Sequence, residues 1–156
     1  MFGTQLNGLD YVRDGDSGGD SDTLTATVNG LGTALLPAAL RIEYVETVNL
    51  TTAGAPSVLS FEDSSGIQTV NVLHNGAGNG NLTLLDVNAN VFAQAAWNAQ
   101  LTVELGDFGN FDVIGGANAD TLTGGDGNNT LRGDSSGSIS GAVMLGSDIL
   151  RGAAGD

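Results

Sequence analysis

Aspartate and glycine recur at fixed spacing in the last third of this chain, and that spacing can gather hard oxygen ligands. From Gly115 the sequence reads Gly-Gly-Ala-Asn-Ala-Asp-Thr-Leu-Thr, and from Gly124 Gly-Gly-Asp-Gly-Asn-Asn-Thr-Leu-Arg. A third unit opens at Gly133 with Gly-Asp, so the starts at 115, 124 and 133 are nine residues apart. Both complete units follow G-G-x-G-x-D-x-U-x, where U is a large apolar residue, with one departure apiece. Glycine lets the backbone take positive φ and turn sharply, which brings carbonyl oxygens together inside a turn. A carboxylate or amide two residues before the apolar one adds a side-chain oxygen. Calcium takes about 6–8 oxygens in irregular geometry, so carbonyls together with Asp suit it. The candidate ligand residues are Gly115, Gly116, Asn118 and Asp120 in the first unit, and Gly124, Gly125, Asp126, Gly127 and Asn129 in the second. Gly133, Asp134 and Asp148 extend the set.

Degenerate copies flank the clear ones. The stretch from Gly106 to Ile114 stands one unit earlier, with Gly106, Gly109 and Val113 in phase, but Phe111 occupies the ligand position. It reads as a structural rung with a poor or absent metal site. After Asp134 the phase breaks by roughly ten residues and resumes at Gly146-Ser-Asp148-Ile-Leu150-Arg. Residues 135–145 therefore read as a loop inserted into a rung. Near the other end, Asp14-Gly-Asp-Ser-Gly-Gly-Asp-Ser-Asp-Thr-Leu-Thr carries the same grammar, with Asp22 two residues before Leu24. Asp20 and Asp22 are the candidate ligands there, with Asp14 and Asp16 as further oxygen donors. The alternative is a solvated acidic loop, because Asp and Gly are ordinary turn residues.

The elements that must hold these residues are short strands. Leu122 and Leu131 fall on strands of a few residues and point inward, and no single unit can bury its one leucine. Several must stack before a core exists. The middle of the chain also repeats: Val45-Glu-Thr-Val-Asn-Leu50 returns as Ile67-Gln-Thr-Val-Asn-Val72. Both copies break apolar alternation once, at the same place, which fits a bend repeated on stacked coils. Further strands are expected at 24–28, 58–61, 82–87, 101–105 and 113–114, separated by Gly, Asn, Asp or Ser turns. Stacked Asn49 and Asn71 could form an amide ladder or merely cap turns. The alanine-rich stretch 91–100 reads as a helical turn across a solenoid face, and 36–41 as an excursion from the coil. The expected fold is all-β, a parallel β-solenoid running through 1–156 as one segment. Its parts are an acidic loop at 14–25, coils with excursions at 26–105, and nonapeptide repeats at 106–156.

Composition narrows the partners. The chain has 156 residues and a formal charge of −14, with 18 acids against four arginines and no lysine. That balance argues against nucleic acid or an anionic membrane as a direct partner. Fourteen of the acids are Asp, many in glycine-rich turns, where divalent cations would neutralise them. No cysteine is present, which excludes disulfides and thiolate metal sites. No stretch is apolar for long enough to span a membrane as a helix, and Met1-Phe-Gly-Thr-Gln-Leu lacks the start of a secretory signal.

Catalysis finds little support, and the reading is that the chain is not an enzyme. His74 is the single histidine, which excludes a two-histidine zinc helix and a Cys–His pair. There is no Gly-x-Ser-x-Gly elbow to present a serine. Glu62, Asp63 and Glu104 could in principle converge as paired acids. Trp97, Tyr11 and Tyr44 could meet a sugar face, although core packing is the ordinary use of such residues.

The two in-phase nonapeptides resemble the RTX repeats of secreted bacterial proteins. Asp14–Leu50 and Gly106–Asp156 together resemble RTX-bearing bacterial surface-layer proteins. The resemblance implies a parallel β-roll with calcium in its turns, and it assigns the ligand aspartate to Asp120 and to Asn129, where the residue departs from the pattern. It also implies a calcium-dependent extracellular structural protein, a surface-layer, adhesin or filament segment that self-associates into a lattice or filament. Type I secretion, a location outside or on the surface of a Gram-negative bacterium, and contact with cell-surface polysaccharide follow from the same likeness. The alternative is an RTX accessory module of a secreted protease, lipase or polysaccharide-modifying enzyme.

Overall fold

The computed structural model describes residues 11–15, 20–74, 76, 78–106, 109–134 and 147–152. The inserted loop at 135–145 and Asp16 lie outside the described residues. The fold is all-β, a parallel β-solenoid of about five turns, and the described residues contain no helix. One six-stranded sheet holds β2 (Thr23–Val28), β5 (Thr47–Thr52), β7 (Thr69–Val72), β9 (Asn90–Ala93), β11 (Asp112–Ile114) and β13 (Thr130–Arg132). The other holds β3 (Ala38–Ala39), β6 (Ser57–Ser60), β8 (Leu82–Val87), β10 (Leu101–Leu105), β12 (Thr121–Thr123) and β14 (Ile149–Arg151). The chain visits the two sheets alternately, and every pairing is parallel.

Period-two apolar patterning makes each strand two-faced. In β5, Val48, Leu50 and Thr52 are buried while Thr47, Asn49 and Thr51 remain half-exposed. The inward residues of both sheets meet in one core that runs from Ala26 and Val28 through Leu59, Val70 and Leu84 to Val113 and Leu122. On the outer face the stacked asparagines do pair, with the Asn71 amide donating to Asn49 Oδ1 at 2.8 Å.

The register explains both repeats. Val48 pairs with Val70, so the 22-residue repeat is one coil of the solenoid. The alternation breaks because Val45 and Ile67 lie in the corner before their strands begin. Val113 pairs with Leu131, 18 residues on, so one coil here consumes two nonapeptides and successive units belong to opposite sheets. Leu122 pairs with Leu150 across 28 residues, which places the resumed phase in register beyond the insertion.

Two expectations fail. Residues 91–100 form no helical turn: Asn90–Ala93 is β9, and a tight corner follows in which the Trp97 N–H donates to the Gln94 carbonyl at 2.8 Å. Alanine serves close packing there, with Ala93 and Ala99 buried beside a fully buried Trp97. The excursion at 36–41 is also shorter than expected. Ala38–Ala39 is already an edge strand and Leu40 is buried, leaving Leu35 and Leu36 at the exposed tip.

Candidate metal centre

The repeat glycines are required by clearance rather than by dihedral angle. None of Gly115, Gly116, Gly124, Gly125, Gly127 and Gly133 has positive φ, nor does Asn118, so the expectation of left-handed turns at these positions is not met. A Cβ on Gly125 would stand 1.8 Å from the Gly106 carbonyl oxygen, and one on Gly127 1.5 Å from that of Gly109. Strands of neighbouring coils lie about 4.8 Å apart, and carbonyls of one coil fill the space over the glycines of the next. On Gly116 a Cβ would meet the Trp97 ring at 2.6 Å. Gly124 alone of these has room, its nearest neighbour being the Asn129 amide at 3.4 Å.

A second regularity concerns the residue two before each inward apolar side chain. By register this position forms a column along each sheet. The first column runs Asp22, Glu46, Gln68, Ala89, Phe111, Asn129. The second runs Ser57, Leu82, Leu101, Asp120, Asp148. At four places in these columns the acid or amide oxygen of the next coil receives the N–H of the preceding coil. Leu101 N–H donates to Asp120 Oδ1 at 2.8 Å, Asp120 N–H to Asp148 Oδ1 at 2.9 Å, Phe111 N–H to Asn129 Oδ1 at 2.9 Å, and Asp22 N–H to Glu46 Oε2 at 2.8 Å. Carboxylates gather towards the two ends of the stack, while buried Leu82, Ala89 and Leu101 fill the middle.

At one end Asp120 is almost wholly buried, and its second oxygen accepts the Gly116 N–H at 2.7 Å. The Gly133 carbonyl oxygen and Asp120 Oδ2 both converge on Gly115, where a Cβ would lie 2.1 Å and 2.3 Å from them. Asp148 Oδ2 leans over Gly133 in the same way, 1.9 Å from where a Cβ would stand. These are hard oxygens around a space kept free of side chain, which is the donor chemistry a calcium ion takes. Burial pushes the Asp120 carboxyl up to about 6; the N–H groups of Leu101 and Gly116 oppose the rise, and the charges of Asp148 and Asp134 add to it.

A pH dependence follows. The folded carboxyl holds its proton more tightly than the unfolded chain, whose ordinary value is 3.8. For a metal-free sample this group therefore favours the fold most below pH 4 and loses that contribution as pH rises to about 6. Thermal melts in chelator between pH 4 and 7 should show the C-terminal coils weakening across this window. An Asp120→Asn variant should flatten the dependence.

The second unit is built differently. Asn129 Nδ2 donates to the carbonyls of Gly125 at 3.0 Å and Gly127 at 2.9 Å. Asp126 is exposed. Asn118 donates its amide to the Asn98 carbonyl of the neighbouring coil. Arg132 and Arg151 face outward, as their places after the apolar residue require.

At the opposite end Asp14, Asp20 and Asp22 each bring one carboxylate oxygen within 4.8 Å of the other two, the only such group of three among the described residues. Asp22 is anchored by its own N–H on Glu46 and by its carbonyl, which accepts the Thr47 N–H at 3.0 Å. Desolvation, and then the charges of Asp14, Asp20 and Glu46, raise its carboxyl above the ordinary range. Three carboxylates crowded this closely are an arrangement whose mutual repulsion a divalent cation relieves.

Sequence reasoning missed the small side sheet in which β1 (Tyr11–Arg13) pairs with β4 (Arg41–Glu43). There the Arg41 guanidinium covers the Tyr11 ring at 4.7 Å and Arg13 the Tyr44 ring at 5.3 Å, while Glu43 binds both arginines and the Tyr11 hydroxyl. Three-residue strands carry no readable period. His74 is half-buried at a corner, its Nδ1 2.8 Å from the Asn79 amide. No family model, curated protein or solved structure matches this chain.

Proposed function

We propose that this chain is a calcium-dependent structural segment of an extracellular surface layer, adhesin or filament. The observation that carries the reading is the placement of oxygen donors. A solenoid with a buried apolar middle concentrates carboxylates and glycine-turn carbonyls at its two ends, at Asp14, Asp20 and Asp22 and at Asp120, Asp148 and Gly133. Calcium would be held there by those oxygens, supplying the positive charge that lets like-charged turns stack. Stacked parallel coils, with no helix among the described residues, suit a load-bearing or lattice role. The net charge of −14 keeps separate chains apart until cations screen or bridge them.

The test is association against calcium. Titrating calcium through about 10⁻⁴–10⁻³ M, the range of extracellular modules, should fold the end coils and bring chains into ordered arrays visible by electron microscopy. Folding of a strict monomer would instead support an accessory module of a secreted enzyme. Absence of calcium uptake by calorimetry would defeat both readings.

A further inference from the structure

We propose that the carboxamide of Asn129 closes the 124–129 turn in the place a cation would take, so that this repeat is metal-independent while its neighbour is not. The inference deepens the calcium reading by assigning which turns take the ion.

Asp120 and Asn129 hold the same position in consecutive repeats, and their first oxygens do the same work. Each Oδ1 receives the backbone N–H of the preceding coil, from Leu101 at 2.8 Å and from Phe111 at 2.9 Å. The second atom separates them. Asp120 Oδ2 faces an N–H, that of Gly116 at 2.7 Å. Asn129 Nδ2 faces two carbonyl oxygens, of Gly125 at 3.0 Å and Gly127 at 2.9 Å. The peptide units of the second turn thus aim their negative ends inward, the orientation that gathers ligands for a cation.

No cation is needed there, because the amide supplies two polarised hydrogens for two carbonyls. Both donors are then used on the turn, and the oxygen accepts from Phe111. The network also fixes which atom is which. Exchanging Oδ1 and Nδ2 would set an oxygen against two carbonyls and an N–H against the Phe111 N–H. A calcium ion entering this turn would have to displace the NH₂ group and would find only neutral carbonyls, well short of about 6–8 oxygens with anionic character. Asp126, exposed on the turn, belongs to no group of three acids close enough to share an ion among the described residues. Asn129 is consequently the fixed alternative to an ion, and the exchange of one atom, N for O, decides the metal requirement of a coil.

The experiment compares Asn129→Asp and Asn129→Ala with the parent chain by calcium calorimetry and by thermal melting in chelator or in calcium. In Asn129→Asp a carboxylate oxygen confronts the Gly125 and Gly127 carbonyls. The variant should melt lower than the parent in chelator, recover in calcium, and bind one more ion per chain, at about 10⁻⁴–10⁻³ M. Should Asn129→Asp be unfolded in chelator, its refolding on calcium addition reads the same site. Asn129→Ala should melt lower in both conditions and leave the calcium stoichiometry unchanged. The proposal is overturned if Asn129→Ala binds one ion fewer than the parent, or if Asn129→Asp gains none and calcium does not restore it. Failure of the broader calcium reading would look different: the parent would bind no calcium at all, and Asn129→Asp would still report on this turn.

Discussion

Gly127→Ala should unfold the C-terminal coils, whereas Gly124→Ala, three residues away, should leave them intact. The added methyl at 127 would stand 1.5 Å from the Gly109 carbonyl oxygen and 2.5 Å from its carbon. Both atoms are backbone of the adjacent coil, so no side-chain rotation relieves the overlap. The coils must separate, and separation breaks the parallel pairing of β11 with β13. A cost above about 3 kcal/mol is expected, at the upper end for overpacking. Gly125→Ala, 1.8 Å from the Gly106 carbonyl oxygen, should behave alike. At 124 the nearest atom is 3.4 Å away and φ is not positive. There alanine should change stability by less than about 1 kcal/mol, helped by the lower entropy of its unfolded chain. Hydrogen exchange at Val113 and Leu131 distinguishes the two outcomes, and equal protection in Gly124→Ala and Gly127→Ala would refute the clearance account.

The second large effect is expected from calcium itself. A site with a dissociation constant near 10⁻⁴ M, saturated at about 10 mM, stabilises the folded form by about 2.7 kcal/mol. Two independent centres, at Asp14, Asp20 and Asp22 and at Asp120 and Asp148, would approach twice that. The effect should exceed simple charge screening, so sodium chloride at matched ionic strength is the proper control. Circular dichroism melts should show a calcium-specific rise that Asp22→Asn and Asp120→Asn each reduce. A rise of equal size in sodium chloride would mean that the carboxylates respond to bulk salt alone.

Much of the architecture was legible because period and phase survive in single residues. The return of Val48, Asn49 and Leu50 as Val70, Asn71 and Val72 identified one coil, and the structure pairs these residues one to one. The nonapeptide starts located the C-terminal turns, and the resumed phase at Asp148 and Leu150 located the strand beyond the insertion. What the sequence withheld concerns direction and distance. Glycine has two uses, left-handed φ and absence of Cβ, and only the folded backbone shows that these turns employ the second. Asn129 offers a donor and an acceptor, and its spacing does not say which one faces the turn. Ala95 and Ala96 favour a helix by propensity, but they lie exposed in a tight corner between Ala93 and Trp97, whose burial in the core sets the path of the chain. The side sheet of Tyr11–Arg13 and Arg41–Glu43 depends on a pairing between segments too short to announce themselves.

Pairing confined to adjacent coils leaves the molecule without a keystone. Damage at one rung is felt by the rungs above and below and then dies away, as in a stack of coins rather than an arch. A lesion at Gly127 should therefore leave the layers around Val48 and Val70 standing, and a heated sample should shed its outer layers first while its apolar centre survives as a shorter cylinder.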